Sequence, residues 1–284
     1  MNLMPPKPLI ALLTDFGHED PFVGIMKGVI SNLSPQSRII DITHSIPQGD
    51  IQRAAIGLWM ASSYFPIGTV FLCVVDPGVG TDRKAIIIKD EKYTYIGPDN
   101  GIFSFVIDGK YAAWELSNPG LQLTQPRSTF HGRDIFAPAA AHASNGVPGA
   151  EFGPSVHDVI RLPKPILKIG SGRIYGEIIY RDQFGNLLTS LGRFKKSGGK
   201  KYTLVPWLDS SSDLSGKLFI PKDQATLELP NGRILSWVKT FAEISTGECG
   251  FLVGSTGLIE IAAFTRSAQE LTKLSLGDPV ILLF

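Results

Sequence analysis

An aspartate and an arginine flank a glycine-rich turn in the segment V-V-D-P-G-V-G-T-D-R, which runs from Val74 to Arg83. The segment continues an apolar run, residues 69–75, that is typical of a buried strand. Ligands bind at the carboxyl ends of strands in open parallel sheets, so Asp76 and Arg83 are candidates to hold one small molecule. A strand-end turn with a surface ion pair fits these residues equally well.

Further polar residues follow other predicted strands of the first half. They are Asp15, Asp41 with His44, Asp99 with Asn100, and the T-F-H-G-R-D segment from Thr129 to Asp134. Acids and amides gathered at one sheet edge predict a small-molecule site. Taken alone, His44 is more often a core or capping residue, and Asp20 is a candidate cap for the helix after it.

Two segments of the second half carry comparable polar groups. In R-D-Q-F-G-N, Arg181 to Asn186, the simple interpretation is a hairpin with positive φ at its turn. The functional interpretation gives an Asp for a ribose diol, a Phe for an aromatic ring and an Asn for ring nitrogens. In G-S-T-G-L-I-E-I-A, Gly254 to Ala262, backbone groups and Ser255 are placed to meet a planar base.

Several common sites are absent from the sequence. It contains neither G-x-x-x-x-G-K-[ST] nor G-x-G-x-x-G, so a nucleotide-phosphate cradle is not supported. It also lacks the G-x-S-x-G elbow of serine hydrolases. Cys73 and Cys249 have no Cys or His at ligand spacing, which makes a zinc site improbable and favours reduced, buried thiols in a cytoplasmic protein.

Composition excludes further classes. Of the 284 residues 43% are hydrophobic and 19% charged, with a net charge of +1, so a large core is expected and no basic footprint for nucleic acid. No apolar stretch reaches the roughly 18 residues that span a bilayer. The beginning of the chain does not have the pattern of a signal peptide. We therefore expect no membrane partner.

Hydrophobic periodicity predicts alternating strands and helices in the first half. The predicted strands include Pro8–Leu13, Arg38–Ile42 and Gly68–Val75, and the helices are Phe22–Leu33, Ile51–Ser63 with Asp50 as N-cap, and Arg133–Ser144 with Pro138 inside it. This alternation predicts an α/β domain with a largely parallel sheet.

The pattern changes after about Gly153. Prolines and glycines cluster up to Gly172, and short β-rich runs separated by turn signals fill the rest, from Arg173 to Phe284. Such runs predict a small antiparallel barrel or sandwich. We therefore predict two domains, an α/β domain at 1–160 and a β domain at 173–284.

Read in order, these segments resemble one family. T-D-F-G, D-I-T-H-S-I-P, V-V-D-P-G-V-G-T, G-P-D-N-G, T-F-H-G-R-D, D-Q-F-G-N-L and S-T-G-L-I-E-I-A together resemble the adenosine-forming S-adenosyl-L-methionine hydrolases, also called hydroxide adenosyltransferases. These are relatives of the fluorinase and chlorinase enzymes. The resemblance implies a Rossmann-like N-terminal α/β domain, a C-terminal β-barrel, and a homotrimer whose ligand lies between the N domain of one subunit and the C domain of the next. It implies no cofactor and no metal.

The resemblance also assigns residues. The hydrolytic triad would be Asp76, Arg83 and His131. Residues implied to bind the substrate are Asp15, Asp20, Phe22, Asp182, Phe184, Asn186, Phe241, Ser255, Glu260 and Ala263.

Two positions favour water over halide as the nucleophile. Halogenating relatives carry a tyrosine in place of Asp76 and a tyrosine-serine pair in place of His131 and Gly132, and a buried carboxylate repels a halide. Two positions depart from the family pattern: Gly254 stands where asparagine is common, and Gly49 where halogenating relatives have a bulky aromatic. A halide-dependent transferase and a non-catalytic adenosine or S-adenosyl-L-methionine sensor remain as alternatives.

Overall fold

A computed structural model describes residues 8–107, 109–123, 129–197, 201–205 and 218–284 of the chain. It divides into two units, Met1–Leu162 and Pro163–Phe284. Within the described ranges, no helix has both the length and the apolar character needed to cross a membrane.

The first unit is an α/β fold built on one sheet. Its elements are β1 (Leu9–Thr14), α1 (Phe22–Leu33), β2 (Arg38–Thr43), α2 (Ile51–Ser62), β3 (Val70–Val74), β4 (Ala85–Lys89), β5 (Thr94–Pro98), β6 (Ala112–Glu115) and α3 (Ala137–Ser144). The strand order is β2-β1-β3-β5-β4-β6. The first four strands are mutually parallel, and β4 pairs antiparallel with β5 and β6. The predicted largely parallel sheet is therefore confirmed.

Helices cover both faces of this sheet. Alternate residues of β1 point to opposite sides: Leu12 packs in the cluster that contains Met26 of α1, and Leu13 packs in the cluster that contains Leu58 of α2. All residues of β3 are buried. This is why the strand is a continuous apolar run, as strands covered on both faces are.

The N-termini of α1 and α2 differ in whether a side chain caps them. The Asp50 carboxylate accepts a hydrogen bond from the Arg53 N–H at 2.9 Å, which confirms the predicted cap of α2. The suggested cap at Asp20 is wrong, because α1 has Pro21 at its N-cap position and no side-chain cap.

The helix predicted from Arg133 to about Ser144 begins instead with a π-helical turn, Gly132–Phe136, and continues as α3. Pro138 has no N–H to donate back to the Asp134 carbonyl. That carbonyl accepts from the Leu123 N–H at 2.9 Å instead. The predicted helical span is therefore present, but hydrophobic periodicity did not distinguish its widened first turn.

The second unit is a β fold with one short helix. Its elements are β7 (Lys168–Gly170), β8 (Arg173–Arg181), β9 (Leu187–Lys196), β10 (Lys201–Val205), β11 (Phe219–Pro221), β12 (Thr226–Glu228), β13 (Ile234–Ser236), β14 (Cys249–Val253), β15 (Leu258–Ala263), α4 (Ala268–Thr272) and β16 (Pro279–Leu283). The β-rich character predicted from Arg173 onward is confirmed for the described residues of this unit. Strand β7 and helix α4 were not predicted.

Antiparallel pairings join the strands of this unit into one large sheet. The sheet order is β11-β10-β9-β8-β16-β12-β13, while β15 pairs with both β9 and β14. An isolated bridge between Trp237 and Phe251 joins the end of β13 to β14, and the Val238 N–H donates to the Phe251 carbonyl at 2.9 Å. The unit is thus a large antiparallel sheet, as the β-rich runs predicted, with a core that includes Phe251 and Ile261.

One glycine of the first sheet sets how closely two central strands approach. A Cβ on Gly97 would lie 2.2 Å from the Cys73 carbonyl oxygen and 3.0 Å from the Phe103 ring. We expect G97A to lower the free energy of unfolding by about 1–3 kcal/mol, since backbone and ring must move apart. In the control G28A, in α1, a Cβ would meet open space, and the change should be neutral or stabilise by up to about 1 kcal/mol. Urea unfolding measures both; equal midpoints for the two variants would contradict the prediction.

Candidate active site

Arg83 forms a forked ion pair with Asp76 at the carboxyl end of β3. Its Nε lies 3.0 Å from Oδ1 and 3.1 Å from Oδ2 of Asp76, and its Nη2 lies 2.5 Å from Oδ2. The side chains are only 11% and 5% exposed, respectively, so this is not the surface ion pair that the sequence also allowed. Fork-to-carboxylate contacts fix the orientation of both groups.

The same guanidinium also holds His131. Its Nη2 lies 2.6 Å from Nδ1 of His131. A guanidinium has donors and no acceptor, so Nδ1 must be the accepting, unprotonated nitrogen. His131 is therefore neutral with its proton on Nε2, and it presents an N–H donor away from Arg83.

The pKa of His131 agrees with that assignment. Burial lowers it from the ordinary value, and the neighbouring Arg83 charge lowers it further, while Asp76 opposes the change. The imidazolium form would place an N–H against the guanidinium N–H. The cluster is thus built around a neutral imidazole.

Separate elements bring the three groups together. His131 immediately precedes the π-helical turn, and Phe136 at the end of that turn lies under Arg83, with 5.3 Å between its ring centroid and the guanidinium carbon. The Asn100 side chain donates to the Val75 carbonyl at 2.8 Å and so fixes the backbone beside Asp76. Sequence reasoning missed Phe136, whose apolar helical position carries no functional signal.

Asp15 lies at the carboxyl end of neighbouring β1. The N–H of Gly49 donates to its Oδ2 at 2.8 Å. Burial raises the pKa of Asp15, hydrogen bonds from Gly49 and its own N–H lower it, and the Asp76 charge raises it. Gly49, one of the two departures from the family pattern, has a φ of +71°, a conformation that favours glycine over other residues. The turn in this conformation directs the Gly49 N–H at Asp15.

Phe22 belongs to an aromatic cluster with Phe16 and Phe130, whose centroids lie 5.3 to 6.1 Å apart. Phe130 directly precedes His131, so this cluster borders the Asp76–Arg83–His131 group. Asp20 is exposed, and no contact described for it ties it to that group.

The implied binding residues of the second unit line one pocket of about 780 Å³. The pocket residues that the sequence assigned are Asp182, Phe184, Asn186, Phe241, Ser255, Glu260 and Ala263. Gly254 lies in the segment that the sequence assigned to a planar base, and the residues it missed are Leu252, Val253, Phe264, Thr265, Arg266 and Ser267. Most of the missed residues adjoin assigned ones, so the segments were found and only their extent was underestimated.

Asp182 organises the loop that carries Asn186. Its Oδ1 accepts from the N–H groups of Phe184 and Asn186, both at 2.9 Å, and its Oδ2 accepts from Asn186 Nδ2 at 2.8 Å. The Asn186 side chain keeps a carbonyl oxygen and one N–H that have no partner among the described residues. Phe184 is 69% exposed, which leaves an aromatic face open beside this amide.

Glu260 is a buried carboxyl group in the same pocket. It is 8% exposed and has no hydrogen-bond partner within the described ranges. Burial, with a smaller contribution from the Asp182 charge, raises its pKa to about 7. Its carboxyl group lies where a Cβ on Gly254 would be, since that atom would come 1.7 Å from Glu260 Oε1. The glycine at 254 therefore makes the space that Glu260 occupies.

Within the described ranges, no group of three or more His, Cys, Asp or Glu side chains is arranged to hold a metal ion. The polar groups found are instead suited to hydrogen bonding: a neutral imidazole N–H, a fixed guanidinium, carboxylates and an unpaired amide. Such groups bind and orient a polar organic molecule.

Comparison with known proteins identifies relatives along nearly the whole chain. An (R)-S-adenosyl-L-methionine hydrolase of Thermus thermophilus is 36% identical over 96% of this chain and 99% of its own. A Salinispora arenicola protein of the same name is 40% identical over 95% and 96%. Proteins named fluorinase are more distant, such as one from Actinoplanes sp., 29% identical over 66% of this chain and 72% of its own.

The fold has a solved counterpart. The crystal structure of an uncharacterised conserved protein from Thermotoga maritima superposes with a TM-score of 0.81 at 32% identity, covering 97% of this chain and all of the other.

Family models divide the chain as its architecture does. The SAM hydroxide adenosyltransferase N-terminal domain matches residues 10–153, and the C-terminal domain of the same family matches residues 176–281. The α/β unit with its Asp76–Arg83–His131 cluster and the β unit with its pocket thus belong to one known pairing of domains, and the chain is a member of the SAM hydroxide adenosyltransferase family.

Proposed function

We propose that this protein hydrolyses S-adenosyl-L-methionine to adenosine and L-methionine, by attack of an activated water on the ribose C5′. The observation that carries the proposal is the contact of one guanidinium, Arg83, with both Asp76 and His131. The relatives named (R)-S-adenosyl-L-methionine hydrolase support it.

The substrate determines what a catalyst must supply. The sulfonium already carries a good leaving group, since methionine departs as a neutral thioether. Neither an acid at the leaving atom nor a metal is required, and we propose that no cofactor takes part. What is missing is a strong nucleophile placed in line with the C5′–S bond, and such positioning is worth several kcal/mol.

The cluster divides this task among its members. Arg83 stays protonated and its charge favours hydroxide over water. His131 offers the Nε2 proton, so it orients the water oxygen rather than removing a proton. Asp76 retains lone pairs beyond those used by Arg83, and it is the group that accepts the proton.

The remaining residues fit the rest of the substrate. The carbonyl oxygen and the remaining N–H of the Asn186 amide match the N6–H and N7 edge of adenine, the usual pairing of asparagine with that base. Asp15 is placed to accept from the ribose hydroxyls. The carboxyl groups of Asp182 and Glu260 favour a substrate that carries a sulfonium and an ammonium. Phe184, Phe241, Ser255 and Ala263 complete the wall of the pocket.

Two other functions compete with this one. A halide-dependent synthase is disfavoured by the Asp76 carboxylate, which repels an anion at the position where the nucleophile must sit. A sensor without activity would need neither the shared guanidinium nor a half-buried imidazole beside it. The proposed hydrolase uses every group of the cluster.

We also propose a homotrimer in which the first unit of one subunit and the second unit of the next together bind the substrate. Both cysteines are free and buried, which suits the reducing cytoplasm, and we propose that location.

The product assay tests the reaction. Incubation with S-adenosyl-L-methionine in ¹⁸O-enriched water should give L-methionine and adenosine with the label in the 5′ hydroxyl, because water is the nucleophile. Chloride or fluoride in the same assay should yield no 5′-halo-adenosine. Unchanged substrate at high enzyme concentration would refute the hydrolase, and a halogenated product would establish the competing synthase.

R83K serves as the diagnostic variant in this assay. Lysine keeps the charge but lacks the planar fork that fixes Asp76 and His131 in one geometry, so kcat/KM should fall by about 10² or more. The matched control is R233K, which alters an arginine paired with Glu248 at the surface and should retain activity. Turnover of R83K within a few-fold of wild type would refute the role of the fork.

The acid limb of kcat/KM should report His131. Burial and Arg83 lower the pKa of His131 below 6.5, so the active neutral form persists on acidification until that lowered value is crossed, and activity is lost below it. Glu260 has a pKa of about 7, so its titration should add a separate change in kcat/KM near pH 7. E260Q should remove that change. If the acid limb of kcat/KM in E260Q still has an apparent pKa at or above 6.5, a lowered pKa for His131 is contradicted.

Mixing of variants tests the proposed trimer. R83A damages the first unit and N186A the second, so co-assembled trimers should recover activity in about a quarter of their sites at equal mixing. Mixing R83A with H131A, both in the first unit, is the control and should recover none. A monomeric mass in solution, or no gain from the first mixture, would contradict the shared site.

A further inference from the structure

His44 lies at the end of β2, beside the loop that carries Asp15, and the proposed reaction assigns it no role. Its side chain is fully buried. Burial lowers its pKa, so the ring is neutral in the folded protein, and its edge meets the His18 ring at 5.1 Å between centroids. The His44 imidazole is therefore a polar ring in a buried position of the kind that apolar side chains usually occupy.

One ring nitrogen is bonded to Thr14. Nδ1 of His44 lies 2.8 Å from Thr14 Oγ1, and the same hydroxyl oxygen accepts from the Phe16 N–H at 3.3 Å. We assign the Thr14 hydroxyl as the donor to Nδ1, which leaves the His44 proton on Nε2. That assignment suits Asp41, whose Oδ1 lies 3.0 Å from Nε2, although off the line of a hydrogen bond.

Asp41 is in turn held by a cation. Lys27 Nζ lies 2.6 Å from its Oδ2, and both side chains are about one-third exposed. The opposite tautomer of His44 would turn a nitrogen lone pair toward the Asp41 carboxylate. The Asp41 carboxylate, held by Lys27, thus keeps the His44 proton on Nε2, so that Thr14 is the donor in its hydrogen bond with His44.

The backbone of His44 holds the other side of the same loop. Its carbonyl accepts from the Gly17 N–H at 2.9 Å. His44 therefore contacts the loop on both sides of Asp15, at Thr14 through the ring and at Gly17 through the main chain. With the Gly49 N–H on its carboxylate, Asp15 has little freedom to move.

The order Thr14, His44, Asp41 resembles a nucleophile, a base and an orienting acid. Thr14 is fully buried, however, and its hydroxyl is already engaged with both His44 and Phe16. No substrate atom reaches it there. The arrangement holds a loop in place and does not supply a nucleophile.

We propose that His44 is a positioning residue for Asp15, acting through its bond to the Thr14 hydroxyl; the proposal rests on the assignment of Asp15 to the ribose. Removing the bond frees the Thr14 end of the loop and displaces the carboxylate from the ribose hydroxyls. The binding of the nucleoside then weakens, while the Asp76–Arg83–His131 cluster stays intact.

The test replaces the hydroxyl without changing the size of the side chain. In T14V, we expect the Kd for adenosine and the KM for S-adenosyl-L-methionine to rise about tenfold, with kcat changed by less than about threefold, because ribose binding is lost equally from ground and transition states. T14S restores the hydroxyl and should return both constants to within about twofold of wild type. H44N keeps an acceptor near Nδ1 and should weaken binding less than H44F, which has none.

T69V is the matched control. Thr69 is 1% exposed, its hydroxyl donates to the Pro66 carbonyl at 2.7 Å, and it lies at the opposite end of the sheet. A role in stability alone predicts that T14V and T69V lower the unfolding midpoint without a selective effect of T14V on binding. Equal Kd values for T14V and wild type, or an equal rise in T69V, would overturn the proposal.

Calorimetry with adenosine separates this inference from the proposed reaction. If wild type binds adenosine but releases no labelled product, the hydrolase proposal fails while the effect of T14V on Kd still decides the role of His44. If labelled product forms but T14V changes neither the Kd for adenosine nor the KM, the role of His44 is overturned while the hydrolase proposal stands. Thermal unfolding of each variant shows whether it has folded.

Discussion

A guanidinium cannot give up its proton or accept a hydrogen bond, and the first unit uses that property at Arg83. Because Arg83 contacts both Asp76 and His131, it fixes the orientation of one and the tautomer of the other. The imidazole N–H and the remaining carboxylate lone pairs then have set directions. This interaction turns three separate chain segments into one group able to position a water.

The sheet explains why those segments meet. Strands β1, β3 and β5 are parallel, so their carboxyl ends share one edge, and Asp15, Asp76 and Asn100 all follow them. Asn100 holds the backbone beside Asp76, and Gly49 holds the carboxylate of Asp15. Main-chain contacts of this kind let a site on loops keep a defined geometry.

Each of the two units carries carboxyl groups among its candidate site residues. Asp15 and Asp76 lie in the first, and Asp182 and Glu260 in the second, each carboxyl group at least partly withdrawn from solvent. Burial raises the pKa of Asp15 and of Glu260, so these groups gain from a cationic ligand. In the proposed reaction, sulfonium charge is lost when adenosine forms, so the substrate is favoured over this product.

Much of this was determined by the sequence itself. Apolar periodicity predicted the parallel sheet and the β-rich runs. A strand that is buried on both faces is a continuous apolar run, and one that is buried on a single face alternates apolar and polar residues. The order of polar segments also indicated the family. Periodicity could not show the π-helical turn at Gly132–Phe136, which depends on where the Asp134 carbonyl finds a donor.

Only the tertiary structure decided what the candidate residues do to one another. Taken from their own segment, Asp76 and Arg83 fitted a surface ion pair as well as a ligand site, and His44 fitted an ordinary core residue. Packing buries the pair, adds His131 from a distant segment, and places His44 against Thr14. The reason is physical: protonation and hydrogen-bond direction depend on burial and on partners remote in the chain, and residue type and spacing encode neither.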